Sequence, residues 1–243
     1  PPSTPQKGIF LEKKLNNSWR NNYGRRKGKA LRGAQKIYMA SLQKYQPVGI
    51  ELAENPSRKK INLFTNSNPV WLEIGFGSGE HLFHQAIENP EINIVGCEPY
   101  INGVATLLGK LQKNNLKNVL IYPGDVRDLM DVLPNSIFEK VFLLYPDPWP
   151  KTKHHKRRFV SPEFLDPLIP LIKENGNIHI ATDIGDYVRQ ALLNLISYET
   201  LDWVADSPND WREPWKGWWS TRYEQKAIAA GRRSYYLIFQ KKC

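Results

Sequence analysis

The chain has 243 residues, only two of them cysteine, with 34 Lys and Arg against 24 Asp and Glu for a formal net charge of +10. That length suits one sizeable α/β domain plus an arm. Cys97 and Cys243 are far apart, without any C-x-x-C, which excludes a zinc knuckle and argues for a reducing compartment. No apolar run approaches a membrane span and no signal peptide is visible, so the expected location is cytoplasmic; the start at Pro1 fits removal of a short leader.

The charge is unevenly placed. Residues 1–46 hold eleven basic residues (Lys7, Lys13, Lys14, Arg20, Arg25, Arg26, Lys27, Lys29, Arg32, Lys36, Lys44) and one acid, Glu12, leaving 23 of each sign in the remainder. With Trp19, Tyr23, Gly24, Gly28 and Gly33 interleaved, this stretch reads as an arm that orders on a phosphate backbone; the bland alternative is a solubilising tail. The expected division is a basic, partly disordered arm over 1–55 and one domain over 56–243.

From about residue 60, short apolar runs alternate with helical stretches. Strands are predicted at Val70–Ile74, Ile92–Cys97, Val119–Tyr122, Val141–Leu144, Ile178–Ala181, Leu201–Ala205 and Tyr235–Phe239. Between them, Leu82, Phe83, Ala86 and Ile87 mark one helix and Ile101, Val104, Ala105, Leu108 and Leu111 the next. A short helix is predicted over Asp125–Leu133, another from Phe164 to Ile172 ended by Asn175-Gly176, and one over 184–198. Strands separated by helices of this length predict an α/β fold with a single doubly wound, mostly parallel seven-stranded sheet.

Several strand ends carry chemistry. The first runs through Glu73 into Gly75, Gly77 and Gly79, glycines that let the backbone turn tightly and approach a ligand. Their G-x-G-x-G spacing is not the G-x-G-x-x-G of dinucleotide binders. Glu98 ends the second strand, where a carboxylate accepts both hydrogen bonds of a ribose diol. Asp125 follows the third strand and Asp147 the fourth. Singly, each reads better as a helix N-cap than as a ligand. Four acids at one sheet edge suit a cationic nucleoside better than a phosphorylated one, which points to S-adenosylmethionine; no metal is expected.

The segment P-D-P-W-P-K-T-K-H-H-K-R-R (146–158) joins that edge to a cationic run. Pro146, Pro148 and Pro150 force Asp147 into an extended direction. Lys151, Lys153, His154, His155, Lys156, Arg157 and Arg158 then supply charge suited to phosphate.

Taken with L-E-I-G-F-G-S-G (72–79), G-C-E-P-Y (96–100), G-D-V (124–126), A-T-D (181–183) and T-R-Y-E (221–224), this segment resembles the bacterial tRNA (guanine-N7-)-methyltransferase family, within the Rossmann-like class I S-adenosylmethionine-dependent fold. The basic stretch R-R-K-G-K (25–29) is similar to the family's arm, whereas Trp218-Trp219 and A-G-R-R (230–233) depart from its pattern. The resemblance implies that Glu73, Glu98, Asp125 and Asp147 contact the methyl donor and that Asp147 is the active-site acid. It further implies that Lys151, Asp183, Thr221, Arg222, Tyr223 and Glu224 contact the substrate, with 153–158 along the RNA. The implied product is 7-methylguanosine at position 46, in the variable loop of tRNA. No membrane and no obligatory protein partner are expected, and the protein is expected to be a monomer or homodimer.

The chemistry sets its own requirements. Guanine N7 carries a free lone pair, so no strong base is needed, and positioning with electrostatics carries the rate. Asp147 would share with Asp183 or Glu224 the tasks of holding the base and offsetting its developing charge; Trp149, Tyr223, Trp215, Trp218 and Trp219 are candidates to stack on it. A nucleophilic-cysteine mechanism is disfavoured, since Cys97 lies in an apolar strand and Cys243 is terminal. The alternatives are an exocyclic-amine RNA methyltransferase and a noncatalytic RNA-binding module on the same scaffold.

Overall fold

A computed structural model describes residue 24 and residues 26–243. Lys7, Glu12, Lys13, Lys14, Trp19, Arg20, Tyr23 and Arg25 of the arm lie outside the described residues. The elements run α1 (Ala34–Met39), α2 (Leu42–Tyr45), β1 (Val70–Ile74), α3 (Glu80–Glu88), β2 (Asn93–Cys97), α4 (Ile101–Lys113), β3 (Val119–Tyr122), α5 (Val126–Met130) and β4 (Phe138–Leu144). A 3-10 helix (Thr152–Arg157) and α6 (Pro162–Leu168) precede β5 (Ile172–Thr182), α7 (Gly185–Ile196), β6 (Leu201–Trp203), α8 (Asn209–Arg212), α9 (Arg222–Ala229) and β7 (Tyr235–Lys241).

The seven strands form one sheet in the order β3-β2-β1-β4-β5-β7-β6. β1 to β5 pair in parallel, while β7 inserts antiparallel between β5 and β6. The central strands are apolar on both sides because both faces are covered. Leu72, Ile74, Val141 and Leu143 pack with Leu129, Leu165 and Ala191 of α5, α6 and α7. Trp71, Phe142 and Leu144, one residue out of phase, pack with Leu82, Val104 and Leu108 of α3 and α4. Strand order reverses between β1 and β4, and the carboxyl ends of the strands at such a reversal leave a crevice for ligands.

Two sequence expectations change. Asn175-Gly176 does not end a helix: α6 stops at Leu168, and Asn175, with φ 61, sits inside β5. There the pairing with β4 shifts register between Phe138 and Lys140. An Asn-Gly pair signals left-handed backbone, which a bulge uses as readily as a helix end. The stretch assigned to the arm is docked in its second half. Met39 and Leu42 are buried in the α3–α4 core and Ile50 in the opposite one. Among the described residues no helix is long and apolar enough to cross a membrane.

Candidate active site

At the strand-order reversal lies a cavity of ≈ 530 Å³ walled by the carboxyl ends of β1, β2 and β4 and the turn after β3. Ile74, Gly75 and Gly77 form one side, Cys97, Glu98 and Tyr100 the next, then Asp125 and Arg127, then Tyr145, Asp147 and Trp149. Gly75, Gly77 and Gly79 have φ of 70°, 58° and 69°, a region that side chains disfavour. A Cβ at Gly75 would meet nothing within 4 Å, so bare backbone faces the cavity; at Gly79 it would lie 2.7 Å from Leu107 Cδ1, so that glycine serves helix packing.

The acids divide by what already holds them. Glu98 is buried and accepts from the Gly77 N–H at 2.7 Å and the Tyr100 N–H at 2.8 Å. Burial outweighs those donors and lifts its carboxyl to about 7, with Asp147 adding to the rise. Asp125 caps α5 through the Arg127 N–H, and its two oxygens accept from Arg127 Nε at 3.0 Å and Nη2 at 2.7 Å. Asp147 stands exposed at the mouth, yet the concave surroundings desolvate its carboxyl enough to raise it above the usual range. Among the described residues, none donates a hydrogen bond to it.

Glu73 is absent from the cavity wall. In a strand of period two it follows Trp71 to the α3 side, where its Oε2 lies 2.7 Å from Nδ1 of buried His81. The expectation of four acids facing one pocket therefore reduces to three.

The segment around Asp147 is held by unusual backbone. Tyr145 and Trp149 both have positive φ, 50° and 41°, a conformation that costs about 1–3 kcal/mol each and persists only where neighbours enforce it. For Tyr145 the enforcing contacts are its N–H to the Ala181 carbonyl, 2.7 Å, and its hydroxyl to Ser234 Oγ, 2.8 Å. The other restraint is Arg158, which corrects the expectation that the whole run 153–158 lies along RNA. Its side chain is 1% exposed and donates from Nε to the Pro148 carbonyl at 2.8 Å, from Nη1 to Gln190 at 2.7 Å and from Nη2 to Asp186 at 2.6 Å. The 3-10 helix turns the chain back so that this guanidinium ties down the proline segment from behind. Lys151, Lys153 and Lys156 remain exposed, His154 and His155 are half-buried, and Arg157 lines the cavity with its guanidinium 5.1 Å from the Trp149 ring.

From the C-terminal part, Arg222, Tyr223 and Lys226 of α9 reach the same cavity. The remaining predicted substrate residues do not. Thr221 caps α9, its Oγ1 accepting from the Glu224 N–H at 3.3 Å. Glu224 is buried and accepts from Trp218 Nε1 at 2.9 Å and from the Tyr236 hydroxyl. Asp183 accepts from Arg232 Nε at 2.6 Å. Of the candidate aromatics, Trp149 and Tyr223 line the cavity, while Trp215 and Trp218 pack beside Phe142, His81 and Tyr236 and Trp219 stacks on His84. Cys97 touches the cavity, but burial pushes its thiol well above its ordinary value, with Asp125, Glu98 and Asp128 adding to the rise, which removes it as a nucleophile.

Sequence reasoning missed Tyr100, Arg127 and the docking of the arm. Gly24 reaches the cavity, and residues 26–29 cross the start of α4: Ile101 N–H donates to the Arg26 carbonyl, while the Asn102 amide accepts from Gly28 N–H and donates to the Lys29 carbonyl. The signal was present in G-K and in Asn102, but a side-chain clasp across 74 positions leaves no local pattern.

Parallel strands ending in a glycine turn and an acid-lined crevice, with an antiparallel last strand inserted at the far side, define a Rossmann-like class I methyltransferase fold. Two solved structures match it at the level of fold: a 16S rRNA methyltransferase, KamB, with TM-score 0.56 at 15% identity over 82% of this chain and 99% of that one, and an rRNA methylase from Streptococcus thermophilus, with TM-score 0.50 at 7% identity over 88% and 99%. Residues 67–237 match the family described as "Putative methyltransferase". Two proteins named tRNA (guanine-N(7)-)-methyltransferase are similar nearly end to end: that of Roseobacter denitrificans is 53% identical over 90% of this chain and 95% of its own, and that of Jannaschia sp. 50% over 93% and 97%. The chain belongs to the tRNA (guanine-N7-)-methyltransferase family.

Proposed function

We propose that this protein transfers the methyl group of S-adenosylmethionine to N7 of guanine in tRNA, at position 46 of the variable loop, in the cytoplasm. The observation that carries the reading is the pairing of an acid-walled cavity with a mouth of aromatics and cations, in a chain 53% identical to a protein of that name.

The residues fit the cofactor. Bare backbone at Gly75 admits close approach, Glu98 keeps lone pairs for a ribose diol, and Asp125 Oδ2 has one for an amino group. The bound donor supplies an electrophilic methyl on a sulfonium, which suits acidic walls. Cys97 offers no competing thiolate.

Asp147 holds the target base. Asp183 and Glu224 are already engaged by Arg232, Trp218 and Tyr236, so the division of roles expected among three acids falls to Asp147 alone. Its carboxylate accepts from the guanine N1–H or amino group and offsets the positive charge that the base acquires as N7 bonds the methyl and the sulfur keeps the electron pair. Trp149 and Tyr223 supply stacking faces, each backed by a cation: Arg157 on the first, Arg222 and Lys226 on the second. Those three cations and Lys151, Lys153 and Lys156 face the RNA backbone.

Incubation with radiolabelled S-adenosylmethionine and bulk tRNA, followed by nucleoside analysis, tests the reading. Labelled 7-methylguanosine is expected. A label in another nucleoside, or none, overturns it.

A further inference from the structure

We infer that Trp219, His84 and Gln85 are positioning residues for the tRNA-facing segment, holding a tryptophan-rich loop against α3 so that Arg222 and Tyr223 stand over the glycine turn. The proposal rests on the reading of α9 as substrate-facing.

Residues 215–219 read W-K-G-W-W and precede the cap of α9. Gly217, with φ 83, turns this loop, and its carbonyl accepts from Gln85 Nε2 at 2.8 Å. Trp219 is 47% exposed, yet its ring lies flat on His84, centroids 4.0 Å apart at 18°. Trp218 turns inward, packing on His81 and donating to Glu224, which also accepts from Tyr236 on β7. His81, His84 and Gln85 all lie on α3, which begins directly after Gly79. Beneath them, Glu73 fixes His81 from β1, the strand that ends in the glycine turn.

The consequence is geometric. One rigid helix is anchored at its start to the cofactor-side turn and along its length to the loop that launches α9. Thr221 then caps α9, and the Tyr223 ring lies over Gly77, where an added Cβ would come within 3.3 Å of it. Trp219 itself touches neither cavity nor mouth. Its exposed stack is the contact most readily removed without opening the core.

Three measurements on the full chain test this: steady-state methylation with Trp219→Ala and Trp219→Phe, cofactor affinity by calorimetry, and hydrogen exchange over residues 221–229. Trp219→Ala is expected to raise KM for tRNA about 5–10-fold, the loss of one aromatic stack, with kcat and cofactor Kd within about twofold of the parent. Exchange in α9 should accelerate, and Trp219→Phe, which keeps a stacking face, should restore both. Unchanged exchange in α9, or accelerated exchange with unchanged KM, overturns the proposal. So does an equal loss of cofactor affinity, which marks general destabilisation. Failure of the underlying functional reading is distinguishable, because it shows in the parent protein as absent 7-methylguanosine, whereas exchange does not depend on the substrate.

Discussion

Arg158→Ala separates two roles that the sequence run 153–158 would merge. As an RNA contact, Arg158 would contribute one phosphate interaction, and its loss would lower the log–log salt slope of tRNA binding by roughly 0.7–0.9 while leaving stability alone. The structure instead buries the guanidinium at 1% exposure, with bonds to the Pro148 carbonyl and Gln190. A bond from a charged donor is worth about 1.5–3 kcal/mol, so losing those two costs about 3–6 kcal/mol. The contact to Asp186, an exposed carboxylate, is left out of that sum. In a chain of this size each kcal/mol lowers Tm by about 2–4 °C, so the lower bound alone predicts a fall of about 6–12 °C. Because the Pro148 carbonyl adjoins Asp147, kcat should fall as well, by about 10–100-fold for displacement on the order of 1 Å. Scanning calorimetry, single-turnover methylation and a salt titration of tRNA affinity measure the three quantities. Lys153→Ala with Lys156→Ala serves as the opposite control, with the slope reduced and Tm unchanged. An Arg158→Ala protein with parental Tm and a slope lower by nearly one would refute the buried role.

Burial raises the Glu98 carboxyl to about 7, and only the carboxylate accepts both hydrogen bonds of a ribose diol, so cofactor affinity should weaken about fivefold from pH 7 to pH 6 and the dependence should vanish in Glu98→Gln. The sign for the empty protein is opposite: with the folded value above the unfolded one, stability falls as pH rises from about 4.5 to 7, and a calorimetric series without that slope would contradict the assignment. Gly79→Ala meets Leu107 and should cost stability, whereas Gly75→Ala, strained but in open space, should show its main loss in cofactor Kd; equal effects in paired Tm and Kd measurements would show the two glycines share one role. Asp147→Ala should abolish methyl transfer while tRNA affinity measured by filter binding stays within about threefold, since one acid at the mouth contributes no phosphate contact. Removing residues 1–23, which carry four basic residues, should lower the salt slope of tRNA binding by up to about 3, whereas cutting at 46 would also take Met39 and Leu42 out of the core and lower Tm.

The fold was legible because its strands are short apolar runs at fixed spacing, and the bounds of β1 and β3 agree with the pattern to the residue. The glycine turn was legible for the same reason: three positive φ values leave a chemical trace. What stayed hidden depends on direction within an element. Glu73 looked like a strand-end acid, but strand parity aims it at α3, away from the cavity. Arg158 looked like its basic neighbours, and only the turn of the 3-10 helix makes it a buried strap. T-R-Y-E read as four substrate contacts, yet helical periodicity sends Arg222 and Tyr223 outward while Thr221 caps and Glu224 points into the core. In each case residue type was right for the neighbourhood and the facing required the fold.

The same facing resolves how one site accommodates a cationic nucleoside beside a polyanion. Carboxylates held ionised in an empty cavity would oppose RNA phosphates brought to its mouth, and salt screens partly buried charges less than exposed ones. Burial works against that outcome, since it lifts Glu98 to about 7, so near neutral pH the empty cavity carries less negative charge than its carboxylates would suggest. A bound donor, with net charge +1 from its sulfonium, α-ammonium and α-carboxylate, favours the ionised forms and offsets part of their charge. Both effects reduce the repulsion, and Arg157, Arg222 and Lys226 line the same cavity as the acids. The acids can therefore serve a cation without weakening a phosphate-binding surface one side chain away.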